Sequence, residues 1–189
     1  MRLPVRRGGQ ARTLDGASIT WTQAEGARGT RWRESVVSDG ELMRSILLEV
    51  SATGRPTRLE VTTRAGLLTL HPEADESAIH GNVVGVDGVR DLAFDWSPAH
   101  ELLLLGSPAS AAVTLGRLAS EMDVGESRTL DVLRIDDSVD PRPARWTAVR
   151  MDAGVWHLSS LDDDEERLVL LDASGRPVLP GAVEWPLEE

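Results

Sequence analysis

The sequence predicts a mainly β fold, and three observations carry that prediction. Short runs of alternating polar and apolar residues recur along the chain. Gly-containing turns, several of them Asp-Gly, separate those runs at regular intervals. A helix-start pair, Ser107 followed by Pro108, stands at the head of the only Ala-rich run. The expected architecture is a single curved antiparallel sheet, or a partial barrel of the β-roll kind, with one short helix near residues 108–121.

Residues 1–17 are rich in Arg and Gly and lack periodicity, so they read as a disordered leader. Residues 18–189 then form a single β domain, a size that buries a core without staples. In SITWTQAE the alternation puts Ile19, Trp21 and Gln23 on one face. TRWRESVV follows as a second strand, and Asp39 and Gly40 form a hairpin turn. ELMRSILLEVS reads as strand from its position after that turn. RLEVTT and LLTLH pair across Ala65 and Gly66, and strands at 78–84 and 89–95 flank Asp87 and Gly88. HELLLL, residues 100–105, is a continuous apolar run that fits a strand buried on both faces. The helix places Leu115, Leu118 and Met122 on one face. Further strands are expected at 128–136, 145–151, 155–160 and 167–172, with an extended end at 178–185.

Composition narrows the function classes. The 189-residue chain carries a formal charge of −11 and no Cys, which excludes disulfides and thiolate metal sites. Such a charge opposes phosphate backbones, so no nucleic-acid partner is expected. It opposes docking on anionic membranes as well, except at the basic start. No apolar run approaches the length of a membrane span or a signal peptide core, so the protein is expected to be cytoplasmic and not integral to a membrane. All basic side chains except His are Arg, Tyr is absent and Phe94 is the one Phe, a usage that fits a high-GC bacterial genome. Without Lys there is neither Schiff-base chemistry nor a P-loop.

No catalytic motif stands out. His71, His80, His100 and His157 are not closely spaced, so no metal and no cofactor are expected. No nucleophile elbow surrounds Ser97 or Ser107. Asp87, Asp91 and Asp95 recur every fourth residue but read as turn and edge residues on strands. The acidic run from Asp162 to Glu166 lacks the central Gly of a calcium loop. No catalytic residue is therefore assigned. The six Trp supply nearly all the aromatic bulk, and core packing is their ordinary use. The alternative is that some line a cavity for an amphiphile, with Arg beside them to meet a polar headgroup. The candidate ligand-binding residues are Trp32, Arg33, Trp96, His100, Arg117, Arg145, Trp146 and Trp156.

One family resemblance supports that reading. Val86, Asp87, Gly88, Val89, Arg90 and Asp91, then Ser97 and Pro98, then Arg117 and Leu118, match its Gly-rich strand pair, its Ser-Pro step and its Arg-Leu pair. Arg145, Trp146 and Thr147 match its Arg-aromatic-Thr triplet, and Asp172, Gly175, Pro180, Gly181 and Trp185 match its ending. The Gly66–His71 hairpin sits where the family has one. On these residues the chain resembles a divergent member of the bacterial glycolipid-binding family, formerly a domain of unknown function, over about two-thirds of its length. It departs at Ala112–Gly116, where the family has Thr-Asn-Thr-Leu-Pro-Ile, and in the extra segment Ala99–Ser110. The resemblance implies a curved sheet or half-barrel like the bacterial lipoprotein carriers, with an apolar cavity.

Three functions are therefore open. The first is non-enzymatic binding of a lipid or glycolipid in the concavity of the sheet, which expects a cavity above about 300 Å³. The second is a small hydrolase-like enzyme in which Asp91, His100 and Arg117 converge. The third is an interaction or scaffold protein with a packed core and an exposed apolar patch.

Overall fold

Fourteen strands and one helix carry the chain in a computed structural model that describes residues 6–13, 15–179 and 181–186. The strands are β1 (Arg6–Arg12), β2 (Ser18–Gly26), β3 (Gly29–Ser38), β4 (Glu41–Ser51), β5 (Pro56–Thr63), β6 (Gly66–Pro72), β7 (Ala78–Gly85), β8 (Gly88–Asp95), β9 (His100–Leu104), β10 (Ser127–Ile135), β11 (Arg142–Asp152), β12 (Val155–Ser160), β13 (Glu166–Leu170) and β14 (Val183–Pro186). The helix α1 spans Pro108–Leu118. The fold is mainly β with one short helix, and its described strands close no barrel.

The strands divide between two sheets instead of lying in one. Nine run in the order β14-β1-β2-β3-β4-β5-β6-β7-β8, all antiparallel; five run in the order β13-β12-β11-β10-β9. The described residues correspondingly fall into two compact units: Met1–Ser97 with Asp137–Asp140 and Pro180–Glu189, and Pro98–Asp136 with Pro141–Leu179.

Arg6–Arg12, which composition placed in a disordered leader, is strand β1. It pairs with β2 from Arg6 opposite Ala24 to Arg12 opposite Ser18, and with β14. Backbone pairing on both sides satisfies its amides, and this overrides the low hydrophobicity of its side chains. The rest of the expected leader includes Met1–Val5 and Leu14, which lie outside the described residues, as does Pro180.

In the first unit, alternation sets the buried face. Ile19, Trp21, Trp32, Ile46, Leu48, Leu59, Val61, Leu68, Leu70, Ile79 and Leu92 are all buried. The Asp39–Gly40 turn has φ of 53° and 79° at its two central residues, the pair of positive values that a tight hairpin requires and that Asp-Gly tolerates.

In the second unit, β9 runs parallel to β10. Parallel neighbours need a crossover connection, and α1 lies within that connection. Ser107 caps the helix by accepting from the Ser110 amide at 3.1 Å, with Pro108 behind it. Ser110 Oγ and Thr114 Oγ1 donate to the Leu102 carbonyl at 3.3 and 3.2 Å, and Ser110 Oγ accepts from the Leu104 amide at 3.0 Å. These bonds seat the helix on β9 and satisfy two buried hydroxyls. Leu115 and Leu118 then pack with Leu103, Leu130, Val132, Trp146, Trp156 and Leu158 in one apolar core.

Candidate functional site

The eight candidate residues fall in both units. Trp32, Arg33 and Trp96 belong to the first unit; His100, Arg117, Arg145, Trp146 and Trp156 belong to the second. Trp32 and Arg33 are consecutive on β3 and point to opposite faces, Trp32 buried and Arg33 exposed. Trp96 is buried just beyond β8.

In the second unit, Trp146 and Trp156 are 0% exposed and lie in the apolar core. Arg150 stacks over Trp156 at 5.6 Å and donates to the Ala119 carbonyl at 2.9 Å. Arg145 is exposed and His100 half-buried at the start of β9. Arg117 pairs with buried Glu101 and, at 2.6 Å, with Glu121. A hydrogen bond from Arg128 outweighs desolvation and, with Arg117 nearby, holds the Glu121 carboxyl below its ordinary value. These groups form an ion-pair network around α1. Asp91, the third residue of the enzyme reading, is exposed on β8 of the other unit.

Histidines show one cross-strand pair. His71 and His80 stand opposite each other on β6 and β7, and His80 Nε2 lies 2.9 Å from Glu73. Among the described residues no group of three or more His, Asp or Glu is placed to hold a metal ion.

The buried face of the nine-stranded sheet carries a cluster of a different kind. On β2 and β3, Trp21 stands opposite Glu34 and Gln23 opposite Trp32. The Trp21 and Trp32 rings are tilted at 49° with centroids 6.0 Å apart. Gly9 stands opposite Trp21 on β1, and a Cβ there would meet Trp21 Cζ2 at 2.4 Å, so the indole lies against bare backbone. Gln23 Nε2 donates to Glu25 Oε1 at 3.0 Å. Arg44 Nη2 reaches Glu34 Oε1 at 3.2 Å, and Arg44 Nη1 reaches Asp137 Oδ1 at 3.0 Å. Trp21, Gln23, Glu34 and Arg44 are each more than nine-tenths buried.

In this cluster the Trp21 Nε1 donor and the Gln23 Oε1 acceptor have no hydrogen-bond partner among the described residues; the same holds for the indole Nε1 of Trp146 and of Trp156 in the second unit. An orphaned buried donor or acceptor costs about 1–3 kcal/mol. Strand phase had already put Gln23 on the face of Trp21. Glu34 and Arg44 escaped the sequence reading, although both fall in the inward phase of their strands.

A cleft of about 690 Å³ opens at the β2–β3 turn. Its lining includes Arg6, Glu25, Arg28, Arg31, Glu49 and Thr57 and none of the eight candidates. Glu25, which accepts the Gln23 hydrogen bond, connects the cleft wall to the buried cluster.

No protein-family model and no curated protein matches the sequence. Among solved structures, the chain is similar to the crystal structure of a DUF1089 family protein from Pseudomonas aeruginosa, at 19% identity and a TM-score of 0.55, over 94% of this chain and 90% of that one. A likeness at this identity establishes a shared fold, here with a member of a family of unknown function.

Proposed function

We propose that this protein is a non-enzymatic binding module for an amphiphilic ligand, a lipid or glycolipid, held on the buried face of the nine-stranded sheet. The observation that carries the proposal is the Trp21–Trp32 pair with an unpartnered donor and acceptor beside it. A ligand hydroxyl would accept from Trp21 Nε1 and donate to Gln23 Oε1. Its apolar part would lie along the indoles and the row Ile46, Leu48, Leu59 and Val61. Entry is assigned to the cleft at the β2–β3 turn, where Glu25 and then Gln23 lead inward. Of the residues foreseen as ligand contacts, this reading keeps Trp32 and gives Trp146 and Trp156 a packing role. The shared fold with a DUF1089 family protein is compatible with the proposal.

The test is native mass spectrometry of protein purified from a bacterial host, followed by solvent extraction and titration of the emptied protein with lipids while Trp emission is read. A near-stoichiometric amphiphile, with an emission change that Trp21→Phe and Gln23→Leu abolish, is the expected result. A clean mass for the unliganded chain and flat emission would reject it.

One observation favours a second reading, a scaffold or interaction protein. Leu67, Val84 and Val89 form an exposed apolar row in register across β6, β7 and edge strand β8, and Val86 in the adjoining turn is 96% exposed. On that reading the protein self-associates or captures a partner through this edge. A sharp monomer in sedimentation velocity would count against it.

A further inference from the structure

Most arginines of this acidic chain are committed to carboxylates, including Arg44, Arg55, Arg64, Arg117, Arg128 and Arg134. A further group gathers on the outward face of β1–β3, where Arg31 pairs with Glu49. Arg6 and Arg12 project from β1, Arg31 and Arg33 from β3, and Arg28 from the turn between β2 and β3; all five are exposed. Register places Arg6 and Arg31 on either side of Ala24, and Arg33 beside Thr22. Between the two arginine columns runs the outward row of β2, Ser18, Thr20, Thr22 and Ala24, which is small and uncharged. Three carboxylates accompany the arginines: Glu49, paired with Arg31, and at the two ends Glu25 and Asp15, which accept hydrogen bonds from the uncharged Gln23 and Thr13 and keep their charge. Arg6, Arg28 and Arg31 also wall the 690 Å³ cleft, so the face ends in a recess of headgroup size.

We infer that this face docks the protein on an anionic lipid membrane. The complementarity is one of charge: five guanidinium groups, Arg31 among them paired with Glu49, gather on one face of the nine-stranded sheet in a chain whose formal charge is −11. The net negative charge of the remaining residues opposes an anionic bilayer, which favours contact through this face. Three antiparallel strands with short side chains between the arginines offer a broad face to lipid phosphates. Leu47, opposite Arg33 on β4, and Met43 are outward apolar side chains that reach the interfacial layer. A nucleic acid fits less well. No described element projects from this face to enter a groove. The inference stands apart from the cargo proposal, because docking needs the outward face and cargo needs the buried one.

The experiment is co-sedimentation of the full chain with vesicles of phosphatidylcholine alone and with about 30% phosphatidylglycerol, at about 20 mM and about 300 mM salt. Binding is expected to the anionic vesicles at low salt and to fall steeply at high salt. Each arginine contributes about fivefold in partitioning, so the triple variant Arg6→Gln, Arg28→Gln, Arg33→Gln is expected to lose roughly a hundredfold. Arg145→Gln, an exposed arginine of the other unit, is the control and is expected to bind as wild type. Circular dichroism of each variant confirms that it is folded. Equal binding to neutral vesicles, no binding to anionic ones, a triple variant that binds as wild type, or preferential binding of a short DNA duplex at the same salt would each overturn the inference. A ligand-free but membrane-binding protein would refute the cargo proposal and leave this one standing.

Discussion

The two units of this chain both bury tryptophan pairs, and they do so in opposite company. In the five-stranded unit, Trp146 and Trp156 lie among Leu103, Leu115, Leu118, Leu130 and Leu158, and the buried carboxylate Glu101 is matched by Arg117 away from that cluster. In the nine-stranded unit, Trp21 and Trp32 share their face with Gln23, Glu34 and Arg44. The first arrangement maximises burial of apolar area, worth about 25 cal/mol per Å². The second gives up part of that gain by enclosing polar groups, two of whose atoms have no described partner. The same residue type packs among aliphatic side chains in one unit and beside amide and charged groups in the other, while in both an indole Nε1 is buried without a described partner. Aromatic content alone does not distinguish a core from a site; the neighbours do.

The sharpest way to break this comparison is at the apolar pair. Trp146→Ala should destabilise the protein by about 3–5 kcal/mol, because a fully buried indole is removed from a packed core that relaxes only in part. Urea unfolding followed by circular dichroism measures it. A loss below about 1 kcal/mol would show that this core is not packed around Trp146.

Next in size is the buried ion pair. Glu34→Gln leaves Arg44 with Asp137, whose side chain is largely exposed, and should cost about 3 kcal/mol. Glu101→Gln leaves Arg117 with Glu121, and the expected loss is smaller, about 1–2 kcal/mol. If the order of these two losses is reversed, the polar cluster of the first unit is not the more tightly enclosed one.

Gly9→Ala sharpens the local claim. The added methyl group must displace the Trp21 ring, at an expected cost of about 1–3 kcal/mol. The double variant Gly9→Ala, Trp21→Leu should recover most of that loss, since the smaller side chain vacates the space. Failure to recover would place the cost in the β1 backbone.

The smallest effect is a pH dependence in the second unit. The folded Glu121 carboxyl titrates below its ordinary value because Arg128 and Arg117 bond to it. A lowered folded value means that the contribution is present above the unfolded value and is lost as pH falls through the folded one. The pair is part exposed, so the contribution is below about 1 kcal/mol. Arg128→Gln should flatten the acid limb of the stability profile by that amount, as read by thermal melts below neutral pH. An unchanged acid limb would show that solvent screens the pair completely.

Much of the strand pattern was legible because it rests on local chemistry. Alternation in SITWTQAE put Ile19, Trp21 and Gln23 on one face, and all three are buried. Asp39 and Gly40 specified a turn through their tolerance of positive φ. Ser107 and Pro108 marked a helix start through capping geometry and a pre-set φ. The continuous apolar run at His100–Leu104 signalled a strand covered on both faces, and its pairing with β10 is the parallel one among the described strands.

The site was much less legible. Candidate residues chosen for aromatic or cationic character were distributed over two units, because which strands share a sheet depends on pairings between distant segments that leave no mark at either residue. Glu34 reads as an ordinary charged strand residue until the Arg44 guanidinium, from β4 opposite Val36, reaches it on the same buried face. The Arg- and Gly-rich start reads as unstructured because its side chains bury little; its place in the sheet comes from backbone hydrogen bonds to β2 and β14, which composition does not encode.

What the sequence by itself determined about this protein is therefore local: the mainly β class, the single helix, hairpin turns such as Asp39–Gly40, and the inward phase of strands such as β2. Backbone dihedral preference and side-chain period are properties of neighbouring residues, and they are readable without the fold. Tertiary structure alone decided that the strands form two sheets, that Trp21 meets Trp32 beside unpartnered polar atoms, and that five arginines gather on one face. Each of these is a meeting of residues from different strands, and long-range pairing free energy is set by the assembled sheet, not by any one stretch of chain.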